Sequence, residues 1–305
     1  MKRIFAFAVA VSALLSVSCK KEMTSVQGET MASFTIELPE NILTKGYSDG
    51  TKATQLHYAV YDDNGDFVRG TTIPLHITVG VPKVVDIPVV KEYMYDIVFW
   101  AQSPDADCYE FNQMAKTITV KNYSGEANDD DRDAFYQVVK DYKYTNNTTT
   151  VELYRPFAQI NILASDYVAV EDPMTSSAKF KGLPNVLNVL TGEATGSLDA
   201  AFTATSVPAA QGESLDYMFY SYVSMNYVLA HKQKANFQGD VAATFYYNGS
   251  SVNISVPNVP YQRNYRTNIL VNKLFTGMAN FTVEIVPTYG PRDNQEHEHW
   301  YTPAN

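Results

Sequence analysis

Apolar and polar residues alternate with a period of two along much of this chain, and that period predicts strands. Residues 32–39 read Ala-Ser-Phe-Thr-Ile-Glu-Leu-Pro, with Phe34, Ile36 and Leu38 on one face and a proline as the stop. After a loop-like stretch at 40–53, residues 55–61 and 67–68 flank Asp62-Asp63-Asn64-Gly65-Asp66. Asn-Gly between two apolar runs signals a hairpin in which both turn residues accept positive φ. Strands are also expected at 76–79, 83–89 and 117–120, and at 93–101. The last of these becomes apolar on both faces near its end, as a central strand does.

The second half repeats the style. Residues 150–162 read as two strands parted at Arg155-Pro156, because a proline in mid-run forbids one continuous central strand. Further runs lie at 186–190, 217–223, 241–247, 251–256, 264–271 and 281–286, with a second Asn-Gly turn at Asn248-Gly249. Only residues 133–140 suggest a helix, and a short one. Short strands with turn signals at regular spacing predict an all-β protein of sandwiches, and 305 residues suit two in tandem. The expected division is an N-terminal sandwich over 31–153, a C-terminal one over 154–287 and a polar tail over 288–305.

Composition supports the β reading: 22 Tyr and 15 Phe suit a pleated, half-buried surface. Charge narrows the partners. With 33 acidic against 23 basic residues and a net charge of −10, the chain lacks the basic footprint that nucleic acid requires. It also lacks a polybasic membrane patch.

The first residues depart from the alternating pattern. Lys2 and Arg3 precede an apolar run from Ile4 to Leu15, and Ser16-Val17-Ser18 then leads into Cys19. A positive start, a short apolar run and small residues make a secretory signal, here 1–18, too short to span a bilayer. Ending in small-small-Cys, it resembles a bacterial lipoprotein signal. That likeness implies an acylated Cys19, palmitate among the acyl groups, and a protein held on a membrane by lipid, with 19–30 as a tether. Cys108 is then left without a disulfide partner. Asp105 and Asp107 beside it raise its thiol pKa, so it is expected to be an inert loop or edge residue.

No catalytic constellation stands out. The chain has no Gly-x-Ser-x-Gly elbow, His-Glu-x-x-His, P-loop or dinucleotide fingerprint, so it is expected to be neither an enzyme nor a cofactor protein. His57 and His76 fall in predicted strands and read as structural. The acidic run 128–136 fails as an EF-hand, because Ala134 stands where Gly is needed and Lys140 where Glu is needed. It is expected to be a solvated acidic loop. Glu296-His297-Glu298-His299 has zinc-ligand residue types, but lies in a polar tail without further ligands, so His297 and His299 are expected to be solvated.

Three segments carry a family likeness. Pro260-Tyr261-Gln262-Arg263-Asn264-Tyr265-Arg266-Thr267-Asn268-Ile269 resembles a motif near the C-terminus of fimbrillin-like lipoproteins, the subunits of type V pili. Residues 153–160, Leu-Tyr-Arg-Pro-Phe-Ala-Gln-Ile, resemble their domain-junction strand, and residues 38–62 resemble their N-terminal region. The resemblance implies two transthyretin-like β-sandwiches and lipid anchoring to the outer membrane. It also implies a place at the cell surface or in a fimbrium, with other fimbrial subunits or further copies of the chain as partners by strand exchange. A host or bacterial surface receptor is a further implied partner. In such subunits a protease removes the first strand and a neighbour's strand enters the opened groove. The matching cleavage positions here are Lys45 and Lys52, and a cut after Lys45 would release residues 34–38. A separate expectation is a carbohydrate-binding surface lipoprotein of a nutrient-uptake system. Against it, Trp100 and Trp300 are the only tryptophans and no aromatic platform is visible in the sequence.

Overall fold

The computed structural model describes residues 28–38, 50–75, 81–164, 174–205, 221–231, 238–247, 249–272, 280–286 and 299–301. Among these the protein is all-β, with strands numbered here in chain order. In the first sheet β1 (Glu29–Glu37) lies between β4 (Lys83–Val90) and β10 (Thr149–Glu152), antiparallel to the former and parallel to the latter. The second runs β3 (Phe67–Pro74), β2 (Gln55–Asp62), β5 (Met94–Gln102), β9 (Ala134–Lys143). A small third sheet runs β14 (Ala194–Thr195), β13 (Val186–Asn188), β7 (Thr117–Val120), β6 (Tyr109–Asn112).

Two five-stranded sheets complete the described residues. One runs β16 (Ser221–Leu229), β11 (Phe157–Ala164), β19 (Arg266–Asn272), β20 (Asn280–Val286), β21 (His299–Tyr301). The other runs β18 (Ser250–Pro260), β17 (Gln238–Tyr247), β12 (Thr175–Leu183), β15 (Leu198–Thr205), β8 (Gly125–Glu126).

The halves of the chain interlock. β8 comes from before Arg155 yet pairs in parallel with β15, and β13 comes from after it yet pairs with β7. The cores follow the same plan. One apolar cluster gathers β1, β4 and β10 against one face of the β2–β5–β9 sheet. The other begins on the opposite face of that sheet, at Val98 and Trp100, and continues through Phe157 to Phe180, Phe202 and Phe245. β5 is therefore buried on both faces, as its apolar run requires: Ile97 and Phe99 enter the first cluster, Val98 and Trp100 the second.

Several expectations are corrected. Residues 134–143 form strand β9, and only Asp130–Arg132 make a 3-10 turn. Ala134 and Tyr136 pack on one core and Phe135 on the other, so two-sided burial overrides the helical spacing. The aromatic strand falls at Ser221–Leu229, whereas 217–220 lie outside the described residues, as do 76–79. In the first Asn-Gly turn only Gly65 takes positive φ, at +79°. The Asp62 carboxylate accepts the amides of Asn64 and Asp66, at 2.9 and 2.8 Å, and so holds the loop without a left-handed asparagine. Part of the expected polar tail, His299–Tyr301, pairs with β20 as an edge strand.

Candidate functional site

The first strand is the element on which the assembly reading turns. Its period-two pattern sends Ala32, Phe34 and Ile36 inward, each fully buried, with Leu38 following at 3% exposed. The Phe34 ring meets Phe99 at 5.4 Å and Tyr142 at 5.0 Å between centroids. Burying Phe34, Ile36 and Leu38 contributes about 1.5–3 kcal/mol each. Because β1 is the middle strand, it also closes two backbone ladders. It pairs from Glu29 to Ile36 with β4 and from Phe34 to Glu37 with β10. Leu153 N donates to Glu37 O at 2.9 Å and extends the second ladder. Removing β1 would leave facing strand edges on both sides of an apolar trough.

Of the two candidate cleavage positions, Lys45 lies outside the described residues, as do Cys19 and His297. Lys52 sits in a turn closed by Ala53 N donating to Gly50 O at 3.1 Å. Its side chain is 56% exposed, and its ammonium is 3.8 Å from Asp131. Gly50 has φ +73°, and a methyl group there would come within 3.0 Å of the Leu38 side chain and 3.2 Å of Phe135. The turn therefore packs directly on the end of the first strand and requires a glycine.

The acidic run is an internal crosslink and not a solvated loop. Asp129 accepts from the Asp131 amide at 3.0 Å and pairs with Arg132 at 3.2 Å. Asp131 accepts from the Ser103 hydroxyl at 2.8 Å, and the Tyr227 hydroxyl donates to Asp130 at 3.3 Å. Asp133 is 1% exposed. It receives Arg155 Nε and Nη2, both at 2.6 Å, in a two-pronged ion pair. The Arg155 guanidinium, also 1% exposed, stacks 4.6 Å from the Phe135 ring centre. No group of three His, Cys, Asp or Glu among the described residues could hold a metal ion.

The two segments that carry the family likeness meet at this point. Asn264 adopts a left-handed φ of 61°, a conformation asparagine tolerates. Its Oδ1 accepts the Arg155 amide at 3.3 Å, and its own amide donates to Phe157 O at 2.8 Å. Gln159 N donates to Tyr265 O at 3.0 Å, and Arg266 Nε donates to the Gln159 side chain at 3.3 Å. Arg263 Nη2 donates to Ala230 O at 2.7 Å, while Ala230 N donates to Pro156 O at 3.1 Å. Burial pulls the Arg263 pKa below its usual value. Arg266 is 1% exposed, so it is an internal strut. Sequence reasoning missed the Asp133–Arg155 pair. Its one visible trace was an arginine set between apolar strands beside a proline.

Cys108 lies in the core at 4% exposed and not in an open loop. Burial is the main cause that raises its thiol pKa; Arg132 opposes it and Asp107 adds to it. Burial, more than the acidic neighbours, is what disfavours the thiolate.

The described residues form an all-β protein of packed sheets in which β1 is the central strand of the first sheet. The sequence profile of a family of unknown function, DUF6562, matches residues 23–300, and the chain belongs to that family. No curated protein matches the sequence. Among solved structures the fold is similar to a fimbrial assembly protein from Parabacteroides distasonis, at 12% identity and TM-score 0.52, over 90% of this chain and 99% of that one. It is also similar to a candidate cell adhesion protein from Bacteroides ovatus, at 13% identity and TM-score 0.52, over 84% and 97%. A candidate adhesin from Bacteroides thetaiotaomicron matches at 8% identity and TM-score 0.50, over 85% and 96%.

Proposed function

We propose that this protein is a non-enzymatic surface lipoprotein that serves as a fimbrial structural or accessory subunit and accepts a strand from a neighbouring subunit. The observation that carries the reading is β1, an N-terminal element that fills the middle of a sheet and, with Leu38 just beyond it, buries three large apolar side chains. Likeness in fold to a fimbrial assembly protein and to candidate adhesins supports it. Cleavage after Lys45 or Lys52 detaches the covalent link to β1. A partner strand with apolar residues at alternate positions then replaces it, with the β4 and β10 edges supplying backbone hydrogen bonds and the trough supplying specificity. β20 is paired on both sides, so this chain acts as strand acceptor. Acylation at Cys19 holds the subunit on the outer membrane, and the boundary between the two sandwiches falls near residues 153–157, with β7 and β8 pairing across it.

The test is limited digestion with a lysine-specific protease, followed by light scattering and by titration with a peptide of alternating apolar residues. Trimmed protein should oligomerise or bind the peptide, while the Lys45→Ala/Lys52→Ala protein stays uncut at these positions and monomeric. Trimmed protein that stays monomeric and ignores both the peptide and a second copy's terminal strand would refute the reading.

A further inference from the structure

The sheet built from β17, β12, β15 and β8 carries on its outer face a set of hydroxyl groups that strand assembly does not use. The register aligns them in rows. Tyr246, Thr175 and Thr205 lie side by side across three strands, because Thr175 pairs with Tyr246 on one side and Thr205 on the other. The next row is Thr244, Ser177, Thr203 and Glu126. Side chains two residues apart along a strand share a face about 6.6–6.8 Å apart, and neighbouring strands are about 4.8 Å apart. The rows therefore form a grid of hydroxyls.

Thr175, Ser177, Thr203, Thr205 and Tyr246 line a cavity of about 680 Å³, whereas the Thr244 hydroxyl donates to Asn253 Oδ1 at 2.6 Å. That volume is within the range of about 300–1,000 Å³ typical of small-molecule sites. Ser176, 3% exposed, lies in register with the core residues Phe245 and Ala204, so its side chain belongs to the inner face and only its backbone borders the cavity. Tyr246 is 49% exposed at its edge and leaves an aromatic face open. Among the described residues the lining contains no lysine, arginine or histidine, and Glu126 is its single charge. This composition is local. Further along β12 the outward positions are Lys179 and Lys181, both exposed, so the face changes from hydroxyl to cationic outside the cavity.

We propose that this cavity binds a neutral oligosaccharide. Each Ser, Thr or Tyr hydroxyl both donates and accepts, which matches sugar hydroxyls of either polarity. The open tyrosine ring suits the C–H face of a pyranose. Glu126, the one charge among the described lining residues, repels uronates, sialates and phosphates. The site is separate from the β1 trough, so the inference holds whether or not the subunit polymerises.

Isothermal titration of the chain from residue 19 onward, with cellohexaose, maltohexaose, mannohexaose, xylohexaose and lacto-N-neotetraose, tests it, with hexagalacturonate as the charged control. Saturable binding of at least one neutral probe is expected, with weaker or no binding of the control. Tyr246→Ala should weaken that binding at least tenfold. Ser177→Lys puts into the cavity the residue type β12 already bears at 179, so it should abolish binding at an unchanged melting temperature. The proposal is overturned if no neutral probe binds saturably at millimolar concentration, if hexagalacturonate binds as well as the neutral probes, or if both variants bind as the parent does.

Discussion

Asp133→Asn isolates the crosslink at the centre of the molecule. The carboxylate receives two guanidinium hydrogen bonds of 2.6 Å, and both residues are 1% exposed. The amide keeps the shape but removes the charge, leaving the Arg155 guanidinium buried without its counter-ion. Breaking a buried pair in this way costs about 3–5 kcal/mol. A whole domain is stable by only about 5–15 kcal/mol, so the loss should move the urea midpoint far to lower concentration. Trp100 is a built-in reporter: it is fully buried, edge-on to Phe157 at 6.3 Å and to Tyr109 at 5.3 Å. Its fluorescence should follow the transition. The double substitution Asp133→Leu/Arg155→Met removes both charges together and should recover most of the loss, because an apolar replacement of a buried pair is often neutral or better. A single-variant loss below about 1 kcal/mol, the worth of a surface pair, would refute the claim that this ion pair organises the junction. So would a double variant no more stable than the single one.

Other outcomes follow from the same geometry. Gly239→Ala would place a methyl group 2.6 Å from the buried Tyr261 ring, and it should destabilise by about 1–3 kcal/mol in thermal melts. His57 is held neutral by burial, with its pKa below the ordinary 6.5. The unfolded chain then binds more protons below pH 6.5, so the contribution of His57 falls as pH drops through that value. His57→Gln should flatten the stability profile between about pH 6.5 and the lowered folded value, as read by melts across pH. Cys19→Ala should release the protein from the membrane fraction or block its maturation; unchanged retention with normal processing would rule out lipidation.

What could be read from the chain alone was whatever depends on local pattern. Alternation at 32–38 forecast the first strand and its inward residues, because a strand's side-chain period is two and one buried face selects the phase. The two-sided apolar run near Trp100 forecast a central strand, and Gly65 marked a turn. The same local logic failed at 134–140, where burial from two layers replaced a helical period that neither layer could supply by itself. It also misread Asp133 as part of a solvated acidic loop. Whether a charge is exposed depends on what the chain brings over it, and Asp133 meets Arg155 across 22 positions and Arg266 meets Gln159 across 107. The hydroxyl grid was invisible for the same reason: Thr175, Thr205 and Tyr246 are scattered in sequence, and only the sheet register sets them side by side. Sequence periodicity determined which residues each strand offers, but the pairing of strands distant in the chain decided which of them meet.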